Sequence, residues 1–245
     1  MASLNPDLTP VLPPPDGQLP NFTNPETIKP AVIGVSVVLI ILSTLCVLGR
    51  AYVKIRSRSH HSEDWLMYFA WACFVVYDLL IVYITQEYGL ARHMWDIPLS
   101  SFSHILYYVN VIYCLYGPTM LAAKLSVLLQ IKRLFVTDRS RTDVVWVTVI
   151  VMIVANAIFY TGLFFSEVFQ CWPREKIWNP ALPGKCVDPN SATVVAGILN
   201  LVSDIGCLML PAWAIWHLQM SWKRKLEVFA VFGVGLLSVT SVCPC

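Results

Sequence analysis

Three ionisable side chains sit inside long apolar runs: Asp78, Lys124 and Asp204. A charge at the bilayer centre costs about 2.5–3.5 kcal/mol on insertion scales, so such residues usually face a bundle interior and are the first candidates for a functional site. At about 1.5 Å of rise per residue, Lys124 stands ~11 Å from the basic end of its run and Asp204 ~18 Å from the same side. Helical side chains lean toward the amino terminus of their helix. Both runs head the same way, so Lys124 leans toward the depth of Asp204, and a buried pair or shared polar cavity is expected. The alternative is a lysine that snorkels to the nearer interface. Asn200, four residues before Asp204, shares its stripe, while Asn110, Tyr113 and Gly117 lead toward Lys124 at spacings of three, four and seven. Lys124, Asp204, Asp78, Asn200 and Asn110 therefore form the candidate ligand-binding or polar-pair set, with interhelical glue the other reading of the asparagines. Pro118 and Pro211 are expected to kink their helices near these stripes.

A second group lies between apolar runs. Cys171 and Cys186, fifteen positions apart, flank Pro173, Trp178, Pro180, Pro183 and Gly184. In an oxidising compartment a disulfide closing that loop is worth about 3 kcal/mol, and one is expected here. The alternative is two free thiols; the other six cysteines read as small apolar packing residues. Asn21, Phe22 and Thr23 form a glycosylation sequon. Metal or hydrolytic chemistry finds little support. The five histidines are His60, His61, His93, His104 and His217, with only the first pair adjacent, and neither zinc spacings nor a nucleophile elbow occur.

The elements that must carry these residues are membrane helices. Of 245 residues, 57% are hydrophobic and 13% charged, against roughly 25% charged in an average soluble chain. A net charge of +2 without a basic face argues against nucleic acid as a partner. A bilayer core of about 30 Å needs roughly 20 apolar residues per helical crossing. Runs at 31–49, 65–85, 105–131, 144–166, 194–216 and a shorter one at 228–243 meet or approach that length. They predict an all-α, multi-span transmembrane bundle embedded in lipid, since β-barrel strands alternate and are far shorter.

Charge between the runs sets the orientation. Arg50, Lys54, Arg56, Arg58, Lys132, Arg133, Arg139, Arg141, Lys223, Arg224 and Lys225 fall on one side, eleven in all, against Lys29, Arg92, Arg174, Lys176 and Lys185 on the other. The positive-inside bias makes the first side cytoplasmic and the amino terminus external or luminal, in a plasma or internal membrane. Residues 1–30 hold eight of the sixteen prolines and no signal-peptide pattern, and are expected to be a disordered external tail before a transmembrane domain over 31–245. Six spans return the carboxyl terminus outside, and the last run stops at Cys243, Pro244 and Cys245 without a basic flank. A seventh helix is expected to be missing.

Several segments in order carry a resemblance. They are 49–52 (GRAY), 63–67 (EDWLM), 88–96 (YGLARHMWD), 124–128 (KLSVL), 131–135 (IKRLF), the loop from Cys171 to Cys186, and Ser203 to Pro211 leading into 217–225 (HLQMSWKRK). Together they resemble the fungal rhodopsin-like integral membrane proteins, a family of satratoxin-cluster and plant-pathogen receptor-like membrane proteins. The resemblance implies a seven-helix membrane fold and an association with fungal secondary metabolism. The chain departs from the pattern in having no cysteine-rich domain in its tail, Glu63 where a second Asp is usual, and no seventh span. A retinal pigment needs a Schiff-base lysine with a counter-ion; in true microbial pigments that lysine is on the last helix, so no cofactor is expected.

Three function classes follow. A receptor-like sensory protein, with a small hydrophobic ligand near Lys124 and Asp204 and a cytosolic signalling partner at the basic loops, fits best. A small-metabolite transporter would be supported by inverted repeats, and no internal duplication occurs. A membrane-embedded accessory or tailoring protein of a biosynthetic pathway is the third, but the sequence shows no cluster of metal ligands or carboxylates that would support an enzyme.

Overall fold

A computed structural model describes residues 7, 9–15, 17, 19–58, 60–135 and 143–217. Its architecture is helical. In order come α1 (Lys29–Ser57), α2 (Ser62–Glu87), α3 (Leu99–Phe135), α4 (Asp143–Val168) and α5 (Pro189–His217), with a minimal hairpin, β1 (Cys171–Trp172) and β2 (Lys185–Cys186), between the last two helices. Five helices are long and apolar enough to cross a membrane. The sixth expected run, 228–243, lies outside the described residues. Each helix outruns its apolar segment because hydropathy stops where polar residues begin, whereas the helix uses them at its ends. Thus α1 starts with Pro30 in its first turn, α2 opens on Ser62, Glu63 and Asp64, and α3 closes on Lys132 and Arg133.

The chain divides into two compact units, one of Met1–Ala122 with Tyr160–Val187, the other of Ala123–Phe159 with Asp188–Cys245. In the first, α1 lies antiparallel on α2. Of its 29 residues only Ser36 is buried; Val38, Leu42 and Leu45 stay exposed, as suits a helix with lipid on most sides. Two polar clasps hold this seam. Ser36 donates its hydroxyl to Asp78 Oδ1 at 3.2 Å. Nearer the other end Arg50 and Lys54, one turn apart, converge on Asp64. The apolar core of the unit gathers Ile84, Ile97, Ile105 and Ile112 under Tyr77, Tyr88 and Tyr108. An aromatic belt of the kind found at membrane interfaces caps it, with Tyr88 stacked on His104 at 5.2 Å and Tyr83 edge-on to Tyr108 at 5.5 Å.

Several hydrogen bonds join described residues before α1 to residues 91–99. Val11 N donates to Ile97 O (3.2 Å), Leu99 N to Thr9 O (3.0 Å) and Ile28 N to Ala91 O (3.1 Å); Asn21 N donates to Asp96 Oδ1 (2.8 Å). Gly89, at φ +74°, makes the turn out of α2 that lets Arg92 N reach Gly89 O. Farther along α3, a Cβ on Gly117 would stand 3.2 Å from Tyr160 O and 3.4 Å from Phe164 Cβ, so its small size permits a close α3–α4 approach.

The hairpin between α4 and α5 pairs Cys171 directly with Cys186, and a disulfide joins the two. Gly184 is required there: a Cβ would fall 2.5 Å from Trp172 O and 2.8 Å from Pro173 Cδ. The second unit has its own core of Leu128, Ile131, Val145, Val149 and Leu210, packed against Met152, Ile153 and Cys207.

Candidate functional site

The second unit concentrates polar chemistry around Lys124, which is only 6% exposed in the middle of an apolar helix. Its ammonium lies 2.9 Å from Asp204 Oδ1 and donates to Asn200 Oδ1 and Ser203 Oγ, both at 3.0 Å. Residues 200, 203 and 204 share one face of α5 because three and four residues bring a helix back to the same side. Asn200 Nδ2 closes the ring by donating to Asp204 Oδ2 at 3.2 Å. Ser203 passes the network to α4, donating to Asn156 Oδ1 at 2.5 Å, and Asn156 Nδ2 donates to Met152 O at 2.8 Å. Three helices are thus tied by one network.

This arrangement sets what Lys124 can do. An ammonium has three protons, and here three acceptors receive them within about 3 Å. Such a lysine is held in place on three sides, with no side of its amine left open to a carbonyl ligand. Asp204, with its side chain 25% exposed, is the more accessible partner. Beside the network lies a cavity of about 410 Å³, with Met152, Phe159, Leu199 and Val202 as apolar walls and Asn156 and Ser203 as its polar edge. A neighbouring cavity of about 350 Å³ shares Met152 and Gly206 with it. An apolar volume with few convergent polar groups is the usual form of a small-molecule site.

The other sequence candidates have partners of their own. Asp78 takes the Ser36 hydroxyl in the α1–α2 seam. Asn110 Nδ2 donates to the Glu167 carbonyl at 3.2 Å, tying α3 to the end of α4. Fourteen residues separate Asn110 from Lys124, or ~21 Å of helix, which explains why a shared stripe does not make them one site. Asn21 is exposed in a local turn, its Oδ1 accepting from Thr23 Oγ1 (3.2 Å) and Asn24 N (3.0 Å).

Sequence reasoning overlooked two sets of residues. Ser203 and Asn156 carry no signal beyond being polar in apolar runs. The Asp64 cluster did leave one: Arg50 and Lys54 are four apart, and Asp64 is three residues past His61, the position from which a carboxylate caps a helix start. Asp64 Oδ1 accepts from Arg50 Nε (3.0 Å) and Nη2 (2.8 Å), Lys54 Nζ is 3.0 Å from Oδ2, and His61 N donates to Oδ2 at 3.1 Å. His61, Glu63 and Asp64 also lie close enough to offer ligands to a metal. Two cations already occupy the Asp64 oxygens, however, so the cluster reads as an ion-pair lock.

With this geometry, the chain can be set beside known proteins. Fugralins biosynthesis cluster protein 2 of Gibberella zeae is 28% identical over 235 residues, 95% of this chain and 58% of the relative. A SAT4 family membrane protein of Emericella nidulans is 33% identical over 151 residues, 62% of this chain and 39% of the relative. Satratoxin biosynthesis SC1 cluster protein 4 of Stachybotrys chartarum is 30% identical over 116 residues, covering 47% and 42%. The chain therefore spans 58% and 39% of the length of the first two curated relatives. No solved structure matches. The model of the fungal rhodopsin domain matches residues 49–243, and the chain belongs to that family of membrane proteins.

Proposed function

We propose that the chain is a receptor-like membrane protein that binds a small apolar metabolite in its α4–α5 cavity. The observation that carries this reading is the joining of an apolar cavity, through Ser203 and Asn156, to the buried Lys124–Asp204 pair. A ligand that competes for Ser203 or Asn156 disturbs a network running through three helices, which is how occupancy becomes a change in helix packing. Relatives named for biosynthesis clusters support a role beside secondary metabolism. The basic connections, placed in the cytosol by the positive-inside bias, would present the signalling surface, and the amino terminus would be outside or luminal. Endoglycosidase sensitivity of Asn21, lost in Asn21→Gln, tests that orientation.

Binding is tested by photolabelling the full chain in nanodiscs with an aryl-diazirine probe. Adducts should concentrate at Phe159, Leu199 and Val202 and disappear in Gly206→Leu, which fills the space between the two cavities. Labelling spread evenly over lipid-facing residues such as Val38 and Leu42 would remove the basis for the proposal. Net movement of the probe across a vesicle wall, dependent on Lys124, would assign a carrier in place of a receptor.

A further inference from the structure

Asp78 and Asp204 are both carboxylates inside apolar helices, but they are accommodated differently. Asp204 has a lysine; Asp78 has a hydroxyl. Asp78 is 5% exposed, its Oδ1 takes the Ser36 hydroxyl at 3.2 Å, and its Oδ2 is buried with no hydrogen-bond partner. Among the described residues, the titratable groups near it are Tyr77 on α2 itself and Tyr113 of α3, which interacts with Tyr77. From α1 comes only Ser36, whose nearest charges along that helix are Lys29 and Arg50, seven and fourteen residues away. A charged carboxylate buried among these neutral groups would lack both a counter-ion and a full set of donors, and in such places a group takes up a proton and becomes neutral.

A metal cation is a poorer answer. It would need several oxygens around Oδ2. The other buried, unpartnered acceptor on this stripe, Thr85 Oγ1, is seven residues along α2, or ~10 Å, too far to share an ion. We propose that Asp78 is a proton-binding site in the α1–α2 seam, holding a carboxylic acid at neutral pH whose occupancy is sensed by Ser36, the sole buried residue of α1. This is independent of the α4–α5 cavity, since it rests on residues of α1, α2 and α3 that do not line that cavity.

Infrared spectroscopy of the full chain in nanodiscs, with ¹³C in the aspartate side-chain carboxyl, tests it. At neutral pH one label-sensitive carboxylic-acid C=O band is expected. It should persist in Asp204→Asn, vanish in Asp78→Asn, and move to higher frequency in Ser36→Ala, where the acid loses its hydrogen bond. Absence of any aspartic-acid band in the unmodified chain, or its survival at full intensity in Asp78→Asn, overturns the assignment. Should Asp78→Asn not fold, the labelled native chain and Ser36→Ala decide it, and a band indifferent to the Ser36 hydroxyl counts against the proposal.

Discussion

Replacing Lys124 by methionine keeps the unbranched stem, one atom shorter, and removes the charge, which isolates what the ion pair contributes. In the intact protein the ammonium holds Asp204, Asn200 and Ser203, and its side chain is 7% exposed against 25% for Asp204. Breaking a fully buried pair costs about 3–5 kcal/mol, chiefly because the surviving charge is left without compensation. Asp204 is partly open, so Lys124→Met should cost about 2–3 kcal/mol, at or below the lower end of that range. Asp204→Asn strands the more deeply buried ammonium and should cost more, about 3–4 kcal/mol. The double variant Lys124→Met with Asp204→Asn leaves no stranded charge and should return to within about 1 kcal/mol of the parent, an interaction energy of at least ~4 kcal/mol. Reversible unfolding in mixed micelles, followed by tryptophan fluorescence, measures all four corners of the cycle. If both single changes cost under about 0.5 kcal/mol and simply add, Lys124 reaches water at the interface and the buried pair is refuted.

Other perturbations follow from the same physical terms. Asp64→Asn removes the carboxylate that Arg50 and Lys54 share and should cost about 3 kcal/mol, whereas Lys54→Met, which leaves the two Arg50 bonds, should cost about 1; equal effects in chemical unfolding would contradict a shared lock. Gly184→Ala drives a methyl into the Trp172 carbonyl and should cost about 1–3 kcal/mol, seen as earlier proteolytic cleavage within 171–186. Gly197→Ala meets nothing within 4 Å and should gain up to about 1 kcal/mol of helix propensity. Cys171→Ser should lose about 3 kcal/mol through the freed fifteen-residue loop, and non-reducing peptide mapping of the parent should recover the Cys171–Cys186 peptide; an unaltered melting temperature would mean the hairpin holds itself.

What the sequence made legible follows from how lipid restricts a chain. Long apolar runs have one structural outcome, so the five described helices could be read off, and only their polar ends were missed. The Lys124–Asp204 proximity was legible because both the depth of a residue and the lean of its side chain follow from helix geometry. Rotation of one helix about its axis against another does not. That is why Asn156 and Ser203 gave no warning, and why Asn110, on an apparent stripe with Lys124, turned out to serve the Glu167 carbonyl. Asp64 was missed for another reason. It lay in a connection read for its net charge, while the position that mattered, third in a helix and opposite an Arg–Lys turn, depended on where α2 begins.

The sparse burial of α1 has a consequence for how the protein responds to its solvent. The apolar stretch 31–49 rises ~28 Å, close to the hydrocarbon thickness of a bilayer of about 30 Å. A change of acyl length or sterol content must be absorbed by tilt or by local thinning. In α3, where Ile105, Ile112, Ala122 and Leu128 are buried along the helix, tilt would pull apart packed side chains. α1, pinned to α2 at Ser36 and again at Arg50 and Lys54, cannot turn alone, so a change of membrane thickness would have to tilt α1 and α2 together.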